Sequence, residues 1–149
     1  MGLYKETTDI ITSWLQNHGT INEVTLGDVR EVDLSTHSNF PLVHVIILNN
    51  DYDNGYSTYN YQYLFLDTFF EGGENTKLDI LDEMNEVVTD FISALNHGSM
   101  LNSAITVSSV ATGEVMYNQL QNKLYGWSLE FGLDVPNDVD PGTGTLPCG

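Results

Sequence analysis

Apolar positions along the chain follow two periods, and the change from one to the other marks its elements. Over residues 76–97 (TKLDILDEMNEVVTDFISALNH), Leu81, Met84, Val88, Phe91 and Leu95 recur three and four residues apart, as one helical face requires. Leu78, Ile80, Val87 and Ile92 widen this stripe, while Asp79, Asp82, Glu83, Glu86 and Asp90 fall on or beside the opposite side. Asn75 or Thr76 supplies a capping oxygen, Gly98 a left-handed stop, and His97 a ring at the negative end of the dipole. A stripe this broad predicts a sheet beneath the helix. A narrower stripe, Ile10, Ile11, Trp14 and Leu15, predicts a first helix over 4–17, closed by Asn17–His18–Gly19 and packed at an edge.

Elsewhere the period is two, or the apolar run is unbroken. Residues 24–34 alternate enough for a short strand or ordered loop, ended by Pro41. Residues 42–48 (LVHVIIL) form the near-continuous β-branched run of a strand covered on both faces. The turn-formers NNDYDNG follow, with Asn54–Gly55 as the reversal. Residues 56–69 predict a long strand. Tyr59, Tyr61, Tyr63 and Phe65 share one face of it; Thr58, Asn60, Gln62, Leu64 and Leu66 share the other. Its first half turns a polar face outward, and its second half is apolar on both sides. This predicts a projecting hairpin with tyrosines that a lone copy leaves partly exposed, so Tyr56, Tyr59, Tyr61 and Tyr63 are candidate subunit-interface residues. For the Phe65 end, packing under the helix is an equal reading.

After a loop at Glu71–Gly72–Gly73–Glu74 and the long helix, residues 104–111 return as a strand, and 115–125 fit either helix or extended chain. Leu129, Phe131, Leu133 and Val135 alternate with polar or small residues as a final half-buried strand. The expected fold is α/β (α+β): a two-layer sandwich, mostly antiparallel sheet with one long helix packed across it. An N-terminal helix, the projecting hairpin and a flexible tail complete it. Residues 1–136 form one domain, and 137–149, rich in Gly and Pro, a flexible C-terminal tail or arm.

Charge narrows the functions open to such a domain. Four Lys and Arg oppose 21 Asp and Glu, for a net charge of −17. Lys5, Arg30, Lys77 and Lys123 are scattered, so no basic patch exists to hold phosphates, and DNA or an anionic membrane would be repelled. Cys148 is the single cysteine, which excludes an internal disulfide. The N-terminus carries no apolar run of signal-peptide type, and 42–48 is too short for a membrane span. A soluble protein made in a reducing cytoplasm is expected.

Catalytic and metal chemistry find little support. A helix–loop–helix calcium loop needs Gly at position six and Glu at twelve. Counting from Asn49 those places hold Asn54 and Asn60; counting from Asp51 they hold Tyr56 and Gln62. His18 and His97 precede glycines at helix ends, His44 lies in a core-type strand, and His37 lies in the polar STHSN segment. None is spaced as a metal pair. Cys148 has no basic neighbour to activate it. There is no GxGxxG, phosphate-binding loop or GxSxG. No catalytic, cofactor-binding or metal-binding residue is expected.

Three segments taken together resemble the small ring-forming neck proteins of tailed bacteriophages. They are VTLGDVREVDLSTHSNFPLVHVIILNN, the aromatic strand ending LFLD with LDILDEMNEVVTDFISAL after it, and the closing YGWSLEFGLDVPN. The resemblance is to tail-terminator, tail-completion and head-to-tail connector proteins, including those of crAss-like phages, and covers about Val24 to Asn137. It implies a structural virion protein without enzymatic activity or cofactor. Copies would close into a sixfold or twelvefold ring in the neck, touching portal, tail or other neck proteins. DNA would pass through the lumen without being bound. The alternative is a small acidic binding module or DNA-mimic inhibitor that occupies the basic groove of a host protein, which the charge supports equally well.

Overall fold

The computed structural model describes residues 3–27, 40–68, 77–96, 100–102, 104–108, 111–118 and 124–138. In chain order these form helix α1 (Leu3–Gln16), strands β1 (Glu23–Leu26), β2 (Leu42–Tyr52) and β3 (Tyr56–Thr68), and helix α2 (Lys77–Asn96). Strands β4 (Thr106–Val107), β5 (Thr112–Asn118) and β6 (Leu124–Pro136) follow. The sheet runs β1-β2-β3-β6, with β4 and β5 both on the outer side of β6. Among the described strands only β1 and β2 pair in parallel; every other ladder is antiparallel. This is the two-layer α+β arrangement that the patterns predict. The helix caps Asn75, Thr76, His97 and Gly98, the 71–74 loop, Arg30, His37, Lys123, Cys148 and residues 139–149 lie outside the described residues.

Local chemistry explains the central hairpin. Gly55 takes a φ of 91°, which costs an L side chain energy and costs glycine none. The Asp53 N–H donates to the Tyr56 carbonyl across the turn, and the Asp53 carboxylate accepts from the Asn54 N–H. That second bond, followed by one from Tyr56, holds the Asp53 carboxyl below the usual carboxylate range. The hairpin is longer than expected on its first arm: β2 continues past Leu48 through a register shift between Ile47 and Asn50. The ambiguous 115–125 stretch contributes the end of β5 and the start of β6, whereas 104–111 is strand only at Thr106–Val107.

β3 is the spine, paired with β2 on one side and along all its length with β6 on the other. Its odd-numbered residues face both helices. Phe91 of α2 packs at tilted and edge-on angles among Tyr63, Phe65 and Phe131, with ring centroids 5.1 to 5.7 Å away. Tyr4 of α1 meets Tyr59 edge-on at 4.8 Å and lies parallel to Tyr61 at 6.1 Å. Trp14 of α1 reaches Phe91 at 5.8 Å, so the two helices share one apolar layer. Burying this aromatic cluster supplies much of the domain's driving force, at about 25 cal/mol per Å² removed from water.

Within α2 the buried line is Ile80, Met84, Val87, Phe91, Ala94 and Leu95, slightly rotated from the expected stripe. Leu78 is 75% exposed, because it falls in the first turn on the solvent side. Val88 and Ile92 are only partly buried and lie on the flank of the helix that faces β4 and β5.

Tyr63 is wholly buried, and its hydroxyl has no hydrogen-bond partner among the described residues. A buried hydroxyl without a partner costs about 1–3 kcal/mol of desolvation. Tyr63→Phe is therefore expected to raise stability by about 1 kcal/mol in urea titrations. An unchanged or lower midpoint would mean that the hydroxyl is satisfied.

Candidate functional site

The four candidate interface tyrosines divide sharply. Tyr59, Tyr61 and Tyr63 are 5%, 0% and 0% exposed; only Tyr56, at 40%, is open to solvent. The expected projecting hairpin with uncovered rings is thus corrected for these three. Helix α1 lies over the part of β3 that was expected to protrude, and Thr8 of α1 hydrogen-bonds the Tyr61 hydroxyl at 3.0 Å. Burial pushes the Tyr61 and Tyr63 hydroxyls well above their ordinary pKa, so both stay protonated. A narrow stripe on α1 suggested an edge role, yet α1 covers the aromatic comb as well as β1.

The surface opposite the helices has a different character at its two ends. Even-numbered β3 residues face it, and the register sets their neighbours: Thr58 beside Asp51 and Asp134, Gln62 beside Glu130, and Leu64 beside His44 and Ser128. At the Leu64 end, Ile46, Leu64 and Leu66 form a second small core with Phe40 and Met116 packed on it. His44 is fully buried there and shares a 2.6 Å hydrogen bond with Thr25 of β1, consistent with a core histidine.

At the Thr58 end the face is polar and acidic. Thr58 donates to Asp134 at 2.6 Å, Asn60 to Asp51 at 3.2 Å, and Gln62 to Ser128 at 2.8 Å. Asp51, Glu114 and Glu130 are exposed around these cross-strand bonds, with Asp134 half-buried. Leu48, Asn49, Asp51, Asn60, Thr112 and Glu130 rim an open depression of about 480 Å³. The two described cations are elsewhere: Lys5 pairs with Asp9 along α1, and Lys77 lies over the Tyr125 ring on the helix side. Four carboxylates therefore share this face without a described cation among them. Alternation in TYNYQYLFLD made the polar half of the face readable. Its acidity comes from β2, β5 and β6, which only the register brings together.

His18, like His44, has a structural role. His18 ties the end of α1 to α2: its Nδ1 accepts from the Thr20 N–H at 3.2 Å, so the proton sits on Nε2, which donates to Asp90 at 3.1 Å. Among the described residues, no three His, Cys, Asp or Glu side chains converge as a metal site. No helix among them is long and apolar enough to cross a membrane. On the helix side, a half-open apolar groove of about 660 Å³ runs between Val88 and Ile92 of α2, Val107 and Trp127 of the sheet, and Ala111 just before β5.

A two-layer α+β domain with one acidic open sheet face is the class that fold and surface define. No protein-family model matches the chain, and no curated protein matches it.

Proposed function

We propose that this chain is a structural virion protein whose copies form a ring in the neck or tail end of a tailed phage. In this reading it joins the portal-bearing head to the tail and passes DNA through the lumen. The observation that supports it best is the acidic half-face of the sheet, Asp51, Glu114, Glu130 and Asp134, on a chain of charge −17. A channel that must let DNA slide gains from like charge, which prevents phosphates from adhering. The order of elements, which carries the resemblance to neck proteins, supports the same reading. No enzymatic step, cofactor or membrane enters it.

Mass spectrometry of purified virions is the direct test, with several copies per particle expected; particles without the chain would sink the reading. The lumen assignment is tested separately. Glu114→Lys with Glu130→Lys, both on exposed positions, is expected to leave the fold intact and to make the assembled protein retain duplex DNA at low salt. The unaltered assembly should retain none. If the charge reversal changes nothing, another face lines the channel.

The acidic-mimic reading has the same charge behind it. It requires a monomer or dimer that grips a basic protein, with affinity that falls steeply as salt rises.

A further inference from the structure

Large apolar side chains that remain exposed are not scattered over this domain. Of the seven among the described residues, Leu26 lies on β1, Ile47, Leu48 and Tyr52 on β2, Tyr56 at the start of β3, Val115 on β5 and only Leu78 on a helix. Each margin of the sheet therefore carries exposed apolar side chains, Ile47, Leu48 and Tyr52 on one and Val115 on the other, beside one carboxylate each, Asp51 and Glu114.

These margins also carry open backbone. β1 pairs with β2 only from Leu42 to Val45, and the Gly27 N–H closes that ladder on the Val45 carbonyl. Alternation then points the Ile47 backbone groups to the same side, where no described residue meets them. Residues 46–52 (IILNNDY) so form a margin of seven residues that no described strand pairs on that side. On the far side, β5 (TGEVMYN), also seven residues, has β6 on one side and no described strand on the other. Neither segment carries Lys, Arg or Pro; each carries one carboxylate, Asp51 and Glu114, and the first also the register shift after Ile47.

We propose that these two margins join: β5 of one copy adds to residues 46–52 of a second copy as its antiparallel neighbour, head to tail. Strand direction permits it. β2, β3, β6 and β5 alternate in direction, so β5 of one copy and β2 of the next, in the same orientation, run antiparallel. Side-chain facing permits it too. Ile47 pairs with Tyr61, Tyr52 with Ser57 and Val115 with Trp127, which puts all three exposed residues on the helix side. The junction buries them together in one layer. Within a copy β5 is level with residues 42–46, not 46–52, so each junction staggers the strands, as a closed barrel-like sheet requires. The bulge between Ile47 and Asn50 adds the local twist. Two different patches meet, so the contact repeats, and it forms a ring when its rotation closes.

This inference rests on the ring reading and deepens it by naming the contact. Two copies of charge −17 repel each other, so salt strengthens their pairing, whereas it loosens the grip of a basic partner. Sedimentation velocity of the full chain is expected to show oligomers that grow as NaCl rises from about 0.05 to about 0.5 M. Ile47→Asp and Val115→Asp, at positions 42% and 54% exposed, should each keep the far-UV spectrum and thermal midpoint and sediment as monomers. Each junction should weaken about tenfold or more. Mixing the two variants should give a heterodimer and nothing larger, because one intact junction remains between them.

Wild-type chains monomeric at every salt, variants that assemble like wild type, either variant dimerising alone, or a mixture that stays monomeric would each overturn the proposal. If an aspartate variant melts early, Ile47→Cys and Val115→Cys chains, each with Cys148→Ser, replace it. A short bis-maleimide should link the two kinds of chain to each other and neither to itself; links within one kind overturn the proposal. The virion census separates the outcomes: a chain present in particles but indifferent to these substitutions removes the junction and keeps the ring.

Discussion

A Gly126→Ala chain is expected to lose at least about 3 kcal/mol of stability, enough to unfold a domain of ordinary margin. Gly126 sits opposite Leu66 in the β3–β6 ladder, the longest in the sheet. A Cβ built there would come within 1.7 Å of the Phe65 carbonyl oxygen and 2.8 Å of its carbon. Both are backbone atoms of the central strand, so no side-chain rotation relieves the overlap. Either the strands separate, losing ladder bonds and the packing of Leu64 and Leu66, or the chain fails to fold. Gly113→Ala is the control. Its Cβ would meet only a Trp127 ring carbon at 3.7 Å, an ordinary contact, and its urea midpoint should stay within about 0.5 kcal/mol of the parent. Equal midpoints for the two variants would mean that the β3–β6 register is wrong.

Tyr61→Asp should be as damaging, and in the monomer rather than the assembly. The side chain is fully buried between Tyr4, Tyr63 and Phe131. A carboxylate there has no cation to pair with among the described neighbours, and an uncompensated buried charge costs about 3–5 kcal/mol. Tyr61→Phe, which keeps the ring, should cost only about 1 kcal/mol, because Thr8 still donates to the Tyr4 carbonyl. Tyr56→Asp should leave the fold intact. Thermal melts of isolated chains at low salt check all three. A folded Tyr61→Asp monomer would return that ring to the subunit interface.

These contrasts show what a linear pattern can and cannot convey. The two-residue period of Tyr59, Tyr61, Tyr63 and Phe65 identified one face of one strand, and the face is real. The pattern did not say which layer lies on it, because a ring buried by a helix of its own chain and one buried by a neighbour leave the same alternation. Helix α1 supplies the answer through Tyr4 and Thr8, single residues whose reach depends on tertiary placement. Helix α2 was legible almost to its ends, since its stripe persists over five turns. Leu78 misled because a periodic position in the first turn has sheet beneath it only if the helix starts above the sheet. Parallel β1 was the least readable element: four residues carry too short a pattern, and its direction follows from the connection, not from the residues. The acidic face was half legible, in Thr58, Asn60 and Gln62; Asp51, Glu114, Glu130 and Asp134 join it only through register.

The position of β6 in the chain governs when this domain can form. β3 needs β6 along its whole length, and the two are separated by α2, β4 and β5. During synthesis one long edge of β3 remains unpaired until the last described strand has cleared the ribosome, when the sheet can close at once. Nascent chains stalled before residue 124 should therefore be chaperone clients, held by that open β3 edge.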